Sequence, residues 1–418
     1  MGGARTLWAV CGVRKISRQI GGDCCERFGY IALRLVCFQR IVCPVLFFHI
    51  NVALACLYVL MRHVRYLAWP LWAKVAFGVL LLVGSQHHLY SRIAFGSMFL
   101  PEFPQPVVVA VNVAFGVIFF LAWFQLAYDL VGLLLRWVIL RRKQHPPKIL
   151  RTIMSFAAIA LASFGVAESM RVPDVKEMDV TIRNLPDRFD GYRLVQLTDL
   201  HISKFYERLW VAEVVEKTNA LEPDLIVITG DLIDGELPLR YDDVQPLHDL
   251  VAPDGVITIP GNHEYYFGYE NWMRHYGGLN MLTLENDHIV LDRDGDQLTI
   301  AGVTDLRAGN TDRPEPDVAK ALEGRPEGAP VILLDHQPKM ARDAAPLGVD
   351  LQLSGHTHGG MVWGFDNIVA MVNGGFVSGM YDIDGMQLYV NNGTAQWPGF
   401  AIRVGVPAEL TVITLRKG

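Results

Sequence analysis

The residues best equipped for chemistry lie in the second half of the chain and are carboxylates, imidazoles and one carboxamide. In order they are Asp199 and His201, Asp231, Asn262-His263-Glu264, Asp335-His336, and His356 and His358 within Gly355-His-Thr-His-Gly-Gly360. Aspartate, histidine and asparagine offer oxygen and imidazole ligands, suited to divalent ions such as Mn, Fe or Zn. All six cysteines (Cys11, Cys24, Cys25, Cys37, Cys43 and Cys56) fall in the first 56 residues, so this half has no thiolate ligands and no disulfides. The two oxygens of Asp231 suit it to bridge a pair of cations. Two cations about 3.5–4 Å apart would bind phosphoryl oxygens, lower the pKa of a bridging water and stabilise an in-line displacement.

Each group follows a short apolar run. Leu194–Thr198 leads to Asp199, Leu225–Thr229 to Gly230 and Asp231, and Val256–Pro260 to Gly261 and Asn262. Val331–Leu334 leads to Asp335, and Leu351–Ser354 to Gly355. Length and β-branched content predict strands at Arg193–Thr198, Leu225–Thr229, Val256–Pro260, Gln297–Val303, Val331–Leu334, Asp350–Ser354, Gln387–Asn391 and Glu409–Leu415. Helices are predicted at Glu207–Ala220 and Asp317–Glu323. Such alternation implies a layered α/β domain, whose sites form beyond the carboxyl ends of strands. The D-x-H and H-x-H spacings would put both side chains on one side of an extended chain. D-x-H or G-D alone carries little weight. Gly-His-Thr-His-Gly-Gly is poor core and poor helix, and all five blocks in this order make a specific pattern.

Residues 190–415 resemble the calcineurin-like metallophosphoesterases, whose blocks run D-x-H, G-D, G-N-H-[DE], a lone H and G-H-x-H. The resemblance covers somewhat over half of the chain and all five blocks. It implies a four-layer α-β-β-α sandwich. Matched by position, it implies Asp199, His201, Asp231 and His358 as ligands of one metal, and Asp231, Asn262, His336 and His356 as ligands of the other. His263 matches a catalytic histidine that is not a ligand, and Glu264 its acidic neighbour, expected to orient it. The implied reaction is hydrolysis of a phosphate ester or pyrophosphate by attack of a metal-bridging hydroxide. The Gly-His-Thr-His-Gly-Gly form and the greasy N-terminus look most like a bacterial membrane-associated branch that includes lipid-directed phosphodiesterases. Met361 departs from the glutamine often found there.

The front of the chain is a different physical object. Residues 1–171 hold 18 Lys+Arg against 5 Asp+Glu, whereas residues 172–418 hold 19 against 38. The mean hydropathy of the whole is +0.25. Four stretches are read as membrane spans: Ile41–Met61, Leu67–Gly84, Val107–Leu135 and Ile149–Ala167. The expected division is a basic segment at 1–40, a four-span membrane region at 41–170 and a catalytic domain at 171–418. The linker carrying Arg136, Arg141, Arg142, Lys143, Lys148 and Arg151 is expected in the cytoplasm, which sends the catalytic domain to the exterior (periplasmic) face. Seven Lys/Arg in residues 1–40 argue for the opposite arrangement. Reading that segment as an extension upstream of the native protein resolves the conflict. Asp129, within the third span, is expected to snorkel or pair helices, and His87 and His88 to lie at an interface.

The acidity of the back half excludes a nucleic-acid partner, which needs a basic face. The expected partners are the bilayer and a phosphate-ester substrate, with a lipid as the candidate. Tyr265, Tyr266 and Phe267 either wall the pocket or pack beneath the loop, and Trp397, Pro398 and Phe400 either line its mouth or touch lipid. Arg307–Pro316 and Asn367–Asp384 are pocket-wall segments without a predicted position. His248, His275 and His288 lie outside the blocks and read as surface histidines. A catalytically inactive metal-binding receptor or scaffold is the alternative function; transport through the spans rests on Asp129 alone.

Overall fold

The computed structural model describes residues 48–135 and 148–418. The expected 1–40 extension, and most of the basic linker, lie outside the described residues. The front half contains α1 (48–62), α2 (Leu71–Ser85), α3 (His87–Phe95), α4 (Gln105–Leu135) and α5 (Lys148–Ser169). Among the described residues two helices, not four, are long and apolar enough to cross a bilayer: Gln105–Leu134 and Ile149–Ser169. The second expected span is the 15-residue α2. At 1.5 Å per residue it reaches roughly 22 Å, short of a core about 30 Å thick. The first expected span begins on residues outside those described, and its described part is α1. Asp129 joins helices: Arg62 and Tyr58 of α1 donate to its carboxylate at 2.8–3.2 Å, and Gln125 adds a third donor. Neutralised in this way, a carboxylate can sit in a span.

The back half begins with β1 (Val175–Ile182), β2 (Arg193–Leu197), α6 (Arg208–Asn219), β3 (Leu225–Thr229), α7 (Leu237–Val244), β4 (Val256–Ile259), α8 (Tyr269–Gly278) and β5 (Met281–Thr283). β6 (Asp287–Arg293), β7 (Asp296–Gly302), β8 (Val331–Leu334), β9 (Leu351–Ser354), β10 (Gly379–Ile383), β11 (Met386–Val390) and β12 (Leu410–Lys417) follow. They form two six-stranded sheets, ordered β1-β12-β2-β3-β4-β5 and β10-β11-β9-β8-β7-β6. All eight predicted strands are present. The predicted helix at 317–323 is shorter, Val318–Ala321.

Alternation within the apolar runs builds the layers. Leu225 and Val227 of β3 face the second sheet, together with Ile332 and Leu334 of β8. Ile226 and Ile228 face the other way, onto Val214 of α6, Val244 of α7 and Trp272 of α8. Val331 and Leu333 likewise face Ala321 and Ala344 on the outside of the second sheet. Strands buried on both faces need apolar residues at every position, which is why they read as continuous runs. The result is the expected α-β-β-α sandwich.

The front helices pack on the end of this sandwich where the ligand loops emerge. Ile402 sits against α5 at Gly165, where an added Cβ would come within 2.7 Å of it. Asn112 of α4, fully buried, donates to the Pro398 carbonyl at 2.8 Å and accepts from the Ala401 amide at 3.0 Å. Asn112→Leu would leave both backbone groups unpaired. It is expected to cost about 1–3 kcal/mol, read as a lower unfolding midpoint in detergent. An unchanged midpoint would show that the helices do not hold this loop.

Candidate active site

The ligand loops leave the carboxyl ends of three parallel neighbours in one sheet, β2, β3 and β4, and of β8 and β9 in the other. Their backbones are not extended. Asp199, His201, Asp231, His356 and His358 have φ of 54°, 43°, 53°, 67° and 49°. This left-handed region is uncommon outside glycine, though aspartate and histidine enter it more readily than most. The same-side argument from an extended chain is therefore corrected: both D-x-H and H-x-H are curled, and the curl aims the side chains inward.

Backbone pairing holds these turns together. Asp199 N donates to Gly230 O at 3.0 Å, His201 N to Asp231 O at 3.1 Å and Gly355 N to His336 O at 3.0 Å. At Gly230 (φ 89°) any Cβ would stand 2.6 Å from Gly261 N and 2.9 Å from His336 Nδ1, so glycine alone fits. Glu264 does not touch the His263 ring. Its buried carboxylate accepts from the amides of Asp231, Leu232 and Gly261 at 2.8–3.2 Å and from the Tyr276 hydroxyl. The expected orienting role belongs to Asp234, which contacts His263 Nδ1 through Oδ1 and His201 Nδ1 through Oδ2 at 3.1 Å.

All the sequence-predicted site residues come together. Potential ligand atoms of Asp199, His201 and His358 lie within 4.8 Å of one another, as do those of Asp231, His336 and His356. Asp231 Oδ2 lies between the groups, 3.9 Å from His201 Nε2 and 3.2 Å from His336 Nε2. His336 Nε2 is also 3.2 Å from Asn262 Oδ1 and 3.2 Å from His356 Nδ1, and His201 Nε2 is 3.3 Å from His358 Nε2. His336 Nδ1 faces the Thr229 carbonyl at 2.8 Å, which fixes its proton there and leaves Nε2 to the site. Asp199 Oδ1 is buried and has no hydrogen-bond partner.

Charge is unevenly shared in this cluster. Burial opposes a proton on His201, but Asp234 and Asp199 outweigh it and push the imidazole up to about 10. His336 is likewise raised well above its usual value, Asp231 overcoming burial. Burial and the neighbouring His336 pull His356 down to about 4, and burial pulls His358 down to about 3.

Three contributors escaped the sequence reading. Asp234 sits three residues beyond Asp231, where an aspartate beside a glycine reads as a turn. Arg403, fully buried, donates to the carbonyls of Asn392 and Ala395 at 2.7 Å and backs the His358 loop. Phe99, from the connection between α3 and α4, meets the His263 ring edge-on at 5.5 Å and stacks on Tyr266 at 5.0 Å. Arg307 lies over the other neighbour, its guanidinium 4.9 Å from the Tyr266 ring. Tyr266 and Trp397 thus belong to the site's surroundings, while Tyr265 packs on Tyr269 at 4.4 Å. His248 pairs with Asn280 and His288 with the Ala321 carbonyl, away from the cluster.

The profile of the calcineurin-like phosphoesterases matches residues 192–360, from the start of β2 through the Gly-His-Thr-His-Gly-Gly block. A metallophosphoesterase of Campylobacter jejuni is 34% identical over 299 residues, 70% of this chain and 77% of that one. One from Helicobacter pylori is 33% identical over 253 residues, 60% of this chain and 66% of that relative's length. A Danio rerio transmembrane protein with metallophosphoesterase domain is 31% identical over 277 residues, 64% of this chain and 63% of that one. With the five candidate loops inside the matched region, the chain belongs to the calcineurin-like phosphoesterases.

Proposed function

We propose that the chain is a membrane-anchored phosphodiesterase that hydrolyses a phosphate ester or pyrophosphate at the membrane surface with two divalent cations. The observation that carries this reading is the convergence of six candidate ligand side chains on the two sides of Asp231. Asp199, His201, Asp231 and His358 would hold one cation; Asp231, Asn262, His336 and His356 would hold the other. The donor set fits Mn, Fe or Zn, and the buried Asp199 Oδ1, without a hydrogen-bond partner, is a donor atom such a cation would take. When bound, the cations supply Lewis acidity toward the phosphoryl oxygens and lower the pKa of water between them.

The chain's own groups do the rest. His263, held through Nδ1 by Asp234, presents Nε2 3.9 Å from Asp231 Oδ2. As the P–O bond to the leaving alcohol breaks, His263 protonates that oxygen, while a water oxygen forms the new P–O bond. The proton released by water restores the imidazole. Asp234 fixes the ring's orientation and favours its protonated form. On this reading the membrane region runs over 41–170 and the catalytic domain over 171–418. Two span-length helices and the transmembrane relatives support the anchor. The basic linker supports an exterior catalytic domain.

Purified protein with Mn is expected to hydrolyse bis-p-nitrophenyl phosphate, and His263→Ala or Asp231→Asn to reduce turnover by about 10²–10⁴-fold. Activity surviving both changes would overturn the assignment. Without metal, Asp234 and Asp199 raise the His201 imidazole and Asp231 raises that of His336, so a proton must leave each before Nε2 can ligate. Mn affinity is therefore expected to rise with pH below the raised pKa values, with proton release seen as a buffer-dependent heat in calorimetry. A heat independent of buffer would contradict ligation by these two rings. Alkaline phosphatase fused after Gly418 is expected to be active in cells; an inactive fusion would put the catalytic domain in the cytoplasm.

A further inference from the structure

Beyond His358 the chain leaves the metal-ligand cluster through Gly359, Gly360 and Met361 and forms a seven-residue helix, Asp366–Val372. The base of this segment is fixed. Trp363 N donates to the Val404 carbonyl at 2.9 Å, and Phe365 N to the Val362 carbonyl at 2.9 Å. The Phe365 ring leans on Phe119 of α4 at 4.9 Å and meets Trp123 of α4 edge-on at 5.4 Å.

The outer part of the segment is apolar and bare. Trp363 is 83% exposed, Met371 75%, Val372 68% and Ile368 46%. Phe365, Ile368, Met371 and Val372 recur at spacings of three and four, so they form one stripe along the helix, with Asp366 and Asn367 off it. Single apolar side chains scattered over a surface need no explanation; an array of them within one short segment marks a contact.

The stripe begins on α4, and α4 identifies what covers the rest. Asn112 and Phe119 of α4 still pack on the catalytic domain, the first at Pro398 and Ala401, the second against Phe400 at 5.4 Å. From Trp123 onward α4 turns Leu126, Leu130, Val131 and Leu134 outward. Trp123 therefore marks where α4 leaves the catalytic domain for lipid, a level at which tryptophan is favoured. Phe365 touches it there, and the helix Asp366–Val372 continues the same apolar surface onto the catalytic domain.

We propose that Trp363 and the helix Asp366–Val372 form a second membrane contact, lying in the bilayer interface with Ile368, Met371 and Val372 at the boundary between headgroups and acyl chains. This rests on the reading of α4 and α5 as membrane spans. A helix with an apolar stripe and a polar flank lies in the interface. Seven residues reach roughly 10 Å, far short of a hydrocarbon core about 30 Å thick, so this helix cannot cross. Only residues 359–362 separate Trp363 from His358, so the contact holds the His358 loop at the membrane face.

The test uses the full chain in nanodiscs of phosphatidylcholine with a diazirine in its acyl chain, and maps the photolabel by mass spectrometry. No turnover is measured, so the phosphodiesterase reading plays no part. Trp123 and Leu126 report on the anchor, and Val251 on solvent. Val251 is 67% exposed but precedes β4, at the end of the sheet opposite the ligand loops. Trp363, Ile368 and Met371 are expected to take about tenfold more label than Val251. Label on α4 with only the Val251 background over 363–372 would overturn the inference and leave the anchor standing. Absence of label from α4 as well would remove both. A second copy of the chain cross-linked at Met371 in place of lipid would also overturn it. Trp363→Phe gives an independent readout, because the fluorescence missing from that variant belongs to Trp363. It is expected to be quenched in wild type by brominated phosphatidylcholine and shielded from iodide; the reverse pattern would contradict the contact.

Discussion

Buried acceptor atoms that face one another set the terms for the rest of this structure. His201 Nε2 and His358 Nε2 stand 3.3 Å apart, His336 Nε2 and His356 Nδ1 3.2 Å, with the carboxylates of Asp199 and Asp231 between them. Lone pairs at that distance need a proton or a cation between them. Protons serve only partly, because the imidazoles nearest Asp231 and Asp234 take them and leave His356 and His358 neutral. Leaving an ionised group buried and unpaired costs several kcal/mol. The cluster therefore needs a scaffold that does not relax, and the sandwich supplies one. Five strand ends, left-handed turns and the Glu264 carboxylate on three backbone amides hold these side chains in place.

Much of this was legible in the amino-acid sequence, for a physical reason. Strands buried on both faces must be apolar throughout, so β2, β3, β4, β8 and β9 stood out, and the ligands directly after them stood out in turn. β5, with three residues, and β6, whose side chains are mostly half-exposed, carry no such run and were not visible. The membrane region was overread for a related reason. Hydropathy records that Leu67–Gly84 is apolar, but the helix there begins only after Pro70 and ends at Ser85, before Gln86.

Within the site, the seven candidate ligand positions and His263 stood out because each block directly follows an apolar run, with glycines beside Asp231, Asn262, His356 and His358. Their supports were not. Asp234 and Glu264 are both acidic neighbours of the motifs, and only the fold shows that the first grips the His263 ring and the second the backbone. Phe99 lies more than 150 residues before His263 in a segment that reads as membrane connection, and no local pattern marks it as part of the site. The helices are thus more than a tether, since they contribute a ring to the catalytic surroundings and pack on the loop that carries Trp397 and Ile402.

The most direct measurement is anomalous diffraction from crystals of the full chain grown with Mn. Two peaks about 3.5–4 Å apart are expected. One should lie among Asp199, His201 and His358, the other among Asn262, His336 and His356, with Asp231 touching both. A single peak remote from Asp231, or none, would contradict a shared dinuclear centre.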